Sequence, residues 1–139
     1  MVGSPFVNLV IISHSAQLAE GVREIAQQMA GDDVLIAAVG GLCIDQGDTV
    51  LGTDPLRIAA AVRSLWTPAG VLLLVDMGSA VLSAEEALAL LPAEQQPRCL
   101  ISNAPLVEGA IVAAVEASLG NSLAQVNAAA EAAATLRKV

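Results

Sequence analysis

The chain has 139 residues, 55% of them apolar and only 14% charged, with a formal net charge of −8. That length suits one domain over 1–139 with a real hydrophobic core and no need of disulfides; the acidic balance, with Phe6 and Trp66 the only aromatics, excludes phosphate-backbone binding and base stacking. Mean hydropathy of +0.69 hints at a membrane protein, yet the longest apolar runs, such as GVLLLV at 70–75, fall far short of the roughly 20 residues a spanning helix needs.

MVGSPF has no basic n-region and no cleavable apolar stretch, so no leader is expected. Cys43 and Cys99 are neither close nor motif-spaced, which predicts a reduced, cytoplasmic chain. Electrostatics favour a basic protein partner and argue against nucleic acid, and the short apolar runs argue against a membrane.

The first element is FVNLVIIS (6–13), a short β-branched run that reads as a strand. AQLAEGVREIAQQMA (16–30) follows with an apolar stripe at Leu18, Val22, Ile25, Ala26 and Met29, a helix signature. DVLIAAV (33–39) is the second strand. GGLCIDQGDTVLGTD (40–54), rich in Gly and Asp, reads as loop; Thr53 or Asp54 then caps a helix that holds Pro55 in its first turn and runs to about Leu65. GVLLLVD (70–76) is the most buried strand, followed by Gly78-Ser79 and a helix through Leu91. RCLIS (98–102) is the fourth strand. PLVEGAIVAAVEASLG (105–120) is a helix with a predicted core stripe of Leu106, Val107, Ile111, Val112 and Val115, and SLAQVNAAAEAAATLRK (122–138) is a last, Ala-rich helix that packs on the sheet or at a dimer interface. Nearly continuous apolar strands separated by helices predict an α/β fold of three layers, a four-stranded parallel sheet of order 2-1-3-4 covered on both faces.

His14, the only histidine, ends the first strand, and Asp76 ends the third. With that order the two strands are neighbours, and both residues face the crevice at the carboxyl edge where open parallel sheets bind ligands. A lone His at a strand end often only packs or caps, and Asp76 or Ser79 can simply cap the next helix. Convergence of both ionisable groups on one edge beside small-residue turns favours chemistry. An imidazole is a good nucleophile near neutral pH, and a carboxylate on its other nitrogen fixes the tautomer and stabilises developing charge. A phosphohistidine needs donors, and helix N-termini after Ser15 and Ser79 with loop amides near Gly41 and Gly52 are placed to supply them.

Competing motifs fail on specifics. GDTVLGT (47–53) has P-loop spacing, but Thr53 stands where the lysine belongs. Ser13, His14 and Asp76 are the residues of a hydrolytic triad, yet adjacent strand residues point to opposite faces, which places Ser13 badly for sharing a proton with His14. One His and two scattered Cys do not make a metal site, and the Asp45/Asp48 loop lacks a calcium pattern. Glu108 suits the first turn of its helix better than a catalytic role.

VNLVIISHSAQLAEGVREIAQQMA, LGTD, GVLLLVDMGSAVLSAEEALALL and APLVEGAIVAAVEASLG together resemble the phosphotransferase subunits of phosphoenolpyruvate-dependent dihydroxyacetone kinases, whose phosphotransfer domain is related to the IIA component of mannose-class sugar phosphotransferase systems. The resemblance covers about residues 7–120 and is weakest over 40–53. It implies that His14 is the phosphorylated histidine, charged by the phosphocarrier HPr and discharged to ADP on the nucleotide subunit of the kinase, which acts with the dihydroxyacetone-binding subunit. It implies that Asp76 orients the ring, that the phosphoryl group sits on Nε2, and that the chain is a homodimer with no cofactor or metal of its own, the phosphoryl group being carried covalently on His14. Ser13, Ser15, Gly41, Thr53 and Ser79 are the candidate phosphate contacts. Some members continue into HPr-like and enzyme-I-like domains, so the chain is expected to stand alone or to be the first domain of a longer protein. A sugar IIA component that donates to a IIB domain, and a non-enzymatic binding or regulatory module, are the alternatives.

Overall fold

The computed structural model describes residues 5–139; residues 1–4, most of the MVGSPF stretch inspected for a leader, lie outside the described residues. The β-branched run near the start forms β1 (Asn8–Ser13), buried along its whole length. Its alternate residues serve two cores. Leu9 and Ile11 point to the face covered by α1 (Ala16–Ala30), α4 (Leu106–Ser118) and α5 (Leu123–Ala132), whereas Val10 and Ile12 point to the face covered by α2 (Pro55–Leu65) and α3 (Gly78–Ala89). A strand apolar on both faces fits only between two helix layers.

The sheet has the order β2-β1-β5-β6, all parallel, with β2 at Ile36–Gly40, β5 at Val71–Val75 and β6 at Cys99–Ile101. This is the expected four-strand order, with two extra strands counted between. Those two are β3 (Leu42–Cys43) and β4 (Thr49–Val50), an antiparallel hairpin inside the stretch predicted as loop. Its strands have two residues each and Gly47, at φ 81°, sits in the turn, so no period long enough to register existed in the sequence. No helix among the described residues is long and apolar enough to cross a membrane.

Helix starts follow the capping residues. Ser15 caps α1 by accepting from the Leu18 amide, Asp54 caps α2 ahead of Pro55, and Ser122 with Gln125 forms a capping box on α5. The predicted stripes need correction. On α1 the buried positions are Ala19, Val22, Ala26 and Ala30, while Leu18, Ile25 and Met29 are exposed. On α4 they are Gly109, Ala110, Ala113, Ala114 and Ala117, not the larger residues. Small side chains let α1, α4 and α5 approach the sheet and one another closely, so the Ala face wins the core over the Leu/Ile/Val face. The last helix ends at Ala132 and passes into a single 3₁₀ turn, short of the predicted 138. Glu108 pairs with Lys138 at 3.2 Å.

Gly40, the last residue of β2, lies against the start of α1: a Cβ there would stand 2.5 Å from the Ser15 carbonyl oxygen and 2.8 Å from Ala16 Cα. Both are backbone atoms and cannot swing aside. Gly40→Ala is expected to destabilise the fold by about 1–3 kcal/mol, read as a lowered thermal midpoint; an unchanged midpoint would show that the β1–α1 turn tolerates displacement.

Candidate active site

Register brings the site together. Ile12 pairs with Val75, so the next residues on each strand, Ser13 and Asp76, stand level at the carboxyl edge, and the Asp76 amide donates to the Ile12 carbonyl at 3.1 Å. The chain leaves β1 after Ser13, and His14 is pinned at both ends of its own peptide units. Its carbonyl accepts from the Gly52 amide at 2.9 Å, and its amide donates to Asp76 Oδ2 at 2.9 Å.

The ring is held equally firmly. His14 Nδ1 lies 3.0 Å from Asp76 Oδ1 and 3.2 Å from Oδ2, and Nε2 lies 2.9 Å from Ser79 Oγ. Ser13 Oγ donates to Asp76 Oδ2 at 3.0 Å and accepts from the Ser15 amide at 3.0 Å. Burial alone pushes the Asp76 carboxyl up, but the bonds from the His14 amide, the His14 ring and the Ser13 hydroxyl outweigh it and hold the group below its ordinary value. An ionised carboxylate only accepts, so Nδ1 donates to Asp76; in the neutral ring Nε2 is then the acceptor for the Ser79 hydroxyl. The His14 side chain is 24% exposed and Asp76 10%, so the ring is reachable from solvent while the carboxylate beneath it is largely screened.

The candidate phosphate contacts fall into distinct places. Ser79, in the first turn of α3, touches the ring. Ser13 is fully buried, its hydroxyl committed to Asp76. Alternation ends with the strand, so Ser13 and His14 reach the same carboxylate from one side, contrary to the expectation from opposite faces, although no bond joins Ser13 to the ring. Ser15 caps α1. The Gly41 amide donates to the Ser13 carbonyl at 3.3 Å. Thr53 shares a 2.6 Å hydrogen bond with Ser83, tying the loop before α2 to α3. Sequence reading passed over Ser83, one turn beyond Ser79, and Arg57, whose guanidinium donates to the Gly40 and Gly41 carbonyls at 3.2 and 2.9 Å and fixes the hairpin's base. The only signal for Arg57 was a cation in the first turn of a helix, where the dipole disfavours it. Met77 begins α3 without a side-chain cap; the Ala80 amide donates to the Met77 carbonyl at 3.0 Å, and the Gly78 and Ser79 amides are the first-turn donors left over.

An imidazole oriented by a largely buried carboxylate, with a hydroxyl at its second nitrogen and a helix N-terminus adjoining, is an arrangement suited to nucleophilic chemistry at the ring. The chain belongs to the EIIA-man family, described as the PTS system fructose IIA component, whose model matches residues 8–127. Within it the similarity is to DhaM subunits. The chain is 40% identical over 116 residues to the phosphoryl donor subunit DhaM of PEP-dependent dihydroxyacetone kinase 2 from Listeria innocua, covering 84% of this chain and 90% of that protein. It is 47% identical over 115 residues to the phosphoryl donor subunit DhaM of PEP-dependent dihydroxyacetone kinase from Pantoea ananatis, covering 82% of this chain but only 24% of the relative, so it spans about a quarter of that longer protein. Among solved structures, a protein of unknown function, EF1359, superposes with a TM-score of 0.77 at 33% identity, covering 91% of this chain and 94% of the other.

Because the folded pKa of Asp76 lies below the unfolded value, its charge stabilises the fold fully above about pH 4 and that contribution is lost as pH falls through the lowered value. Asp76→Asn is therefore expected to lose about 1–3 kcal/mol at neutral pH, with the gap to the parent narrowing below about pH 4, as measured by urea titrations across pH; a gap independent of pH would refute the ionised assignment. Ser13→Ala removes one of the three donors, and the Asp76 carboxyl titration, followed by carbon NMR, is expected to move upward toward its ordinary range.

Proposed function

We propose that this chain is a histidine phosphocarrier that takes a phosphoryl group from phospho-HPr on Nε2 of His14 and passes it to ADP held by the nucleotide subunit of a dihydroxyacetone kinase. The observation that carries this reading is the geometry at the ring: Nδ1 lies 3.0 Å from Asp76 Oδ1, which leaves Nε2, 2.9 Å from Ser79 Oγ, as the nitrogen for phosphoryl transfer. The names of the relatives support the kinase as the destination.

The Nε2 lone pair attacks the phosphorus of the donor phosphohistidine in line. The P–N bond to the donor breaks, and its electron pair returns to the donor imidazole. As the new P–N bond forms, the His14 ring becomes cationic, and Asp76, at hydrogen-bond distance from Nδ1, stabilises that charge. The Ser79 hydroxyl, which meets Nε2 in the resting site, turns to a phosphoryl oxygen, joined there by the Gly78 and Ser79 amides at the start of α3. Ser15, Gly41 and Thr53 line the edge from the β1 and hairpin side. Discharge repeats the steps in reverse, with a terminal ADP oxygen as the nucleophile. No nucleotide, metal or other cofactor on this subunit enters these steps; positioning and electrostatics provide the rate. The proposed setting is a homodimer in the cytoplasm, where the free thiols of Cys43 and Cys99 stay reduced.

One observation favours a second reading. Ser79, His14 and Asp76 are bonded in the order of an acyl-transfer triad. A fluorophosphonate probe separates the two: stoichiometric labelling of Ser79 would support acyl transfer.

Incubation with phosphoenolpyruvate, enzyme I and HPr, followed by intact-mass analysis, is expected to add an acid-labile group of ~80 Da to the parent and none to His14→Ala. Asp76→Ala is expected to slow charging by on the order of a hundredfold. A folded His14→Ala protein that still accepts phosphate would overturn the assignment.

A further inference from the structure

Away from Asp76, His14 is gripped at two points, its carbonyl by the Gly52 amide at 2.9 Å and its Nε2 by Ser79 Oγ at 2.9 Å. The two grips belong to different parts of the chain, the segment leading into α2 and the first turn of α3. One hydrogen bond joins them. Thr53, the residue after Gly52, meets Ser83 at 2.6 Å between hydroxyl oxygens, and Ser83 stands one turn along α3 from Ser79, on the same face. Among the described residues no other hydrogen bond links the stretch 40–54 to α3.

The rest of what holds α3 is smooth. Its buried positions are Ala80, Ala84 and Ala87, which share the second core with Ile58, Ala59 and Val62 of α2. A row of methyl groups forms only shallow ridges, so this packing resists separation of the helices better than it resists sliding or rotation. Met77 brings no side-chain cap that would fix the start of the helix. Thr53, by contrast, is firmly placed: Gly52 before it is bonded to His14, and Asp54 after it accepts from the Leu56 amide at 2.9 Å. The position of α3 along its axis therefore depends on a directional contact, and the hydroxyl pair supplies it.

We propose that the Thr53–Ser83 hydroxyl pair is a latch that sets the position of α3, and through it of Ser79, against Nε2 of His14, which makes Thr53 and Ser83 positioning residues for phosphoryl transfer. The proposal rests on the phosphocarrier reading given above. Hydrogen bonds to Nε2 or to a phosphoryl oxygen weaken steeply once distance or angle drifts, and the Gly78 and Ser79 amides travel with the same turn. A small shift of the helix withdraws the hydroxyl and both amides together, while Asp76 keeps its hold on Nδ1. Loss of the latch slows the transfer step and leaves affinity for the donor as it was.

Thr53→Val and Ser83→Ala each remove one hydroxyl of the pair from the full chain. With phospho-HPr as donor, kcat for charging is expected to fall on the order of tenfold in either variant, with KM unchanged. The double variant is expected to be no slower than the singles, because the two side chains make one contact. Thr53→Ser, which keeps the hydroxyl, is expected to recover the parent rate. In nitrogen NMR of the uncharged protein, the Nε2 resonance of both single variants is expected to move toward that of free imidazole as Ser79 withdraws. A lowered thermal midpoint with kcat and the Nε2 resonance at their parent values overturns the proposal, since the pair would then serve only the fold. So do losses that add in the double variant. A loss confined to Thr53→Val gives its hydroxyl to the phosphoryl group directly and overturns the latch as well. Absence of phosphohistidine on the parent overturns the phosphocarrier reading and the rate claim with it; the Nε2 resonance then decides by itself whether the pair holds Ser79 on the ring.

Discussion

The carboxylate of Asp76 is the point on which the carboxyl edge is organised. It follows directly on β5, a strand buried along its whole length, and accepts from the amide of His14, from the ring of His14 and from the hydroxyl of Ser13. Those bonds tie β5 to the residues that leave β1, and the neighbouring turn is closed by the Gly52 amide on the His14 carbonyl. Removing the charge would leave several half-buried donors without an acceptor, a larger penalty than the loss of one hydrogen bond. A single ion thus serves the fold and fixes the ring tautomer.

The two cores explain why this arrangement is rigid. Central strands with apolar residues on both faces are clamped between α1, α4, α5 and α2, α3, so the ends of β1 and β5 cannot slide relative to each other. A slip of one residue would turn every side chain to the other layer. Small residues on α1 and α4 set the close spacing, and Gly40 admits the start of α1 against β2. Precision at His14 is therefore inherited from packing well below it. The Nε2 side of the ring has no such enclosure, and Met77 and Leu82 stand exposed beside it.

Much of this was legible in the residues. Length, apolar runs and helix caps gave the element order, the parallel sheet and the pairing of His14 with Asp76, because strand ends, Ser/Asp caps and Pro55 act through local physics that needs no neighbours. The resemblance of the His14, Asp76 and Ala-Pro-Leu-Val-Glu-Gly segments to a phosphotransferase family agrees with the match over 8–127. Periodicity misled where two apolar faces competed: on α1 it found the buried Val22 and Ala26 but added the exposed Leu18, Ile25 and Met29, and on α4 it selected the larger residues where a glycine and four alanines are buried. The hairpin was invisible because two-residue strands have no period.

The sequence by itself determined which residues are capable of the chemistry and which segment each occupies, since both follow from side-chain type and local backbone preference. Tertiary structure alone decided their partners. Ser13 was a candidate phosphate contact and became the brace of Asp76; Thr53 found Ser83; Arg57 closed on the Gly40 and Gly41 carbonyls; and Ser79, among several hydroxyls of equal promise, reached Nε2. Hydrogen bonds between residues more than sixty positions apart depend on register and layer spacing to within a few tenths of an ångström, and that information resides in the packing of the whole sheet, not in any one stretch of chain.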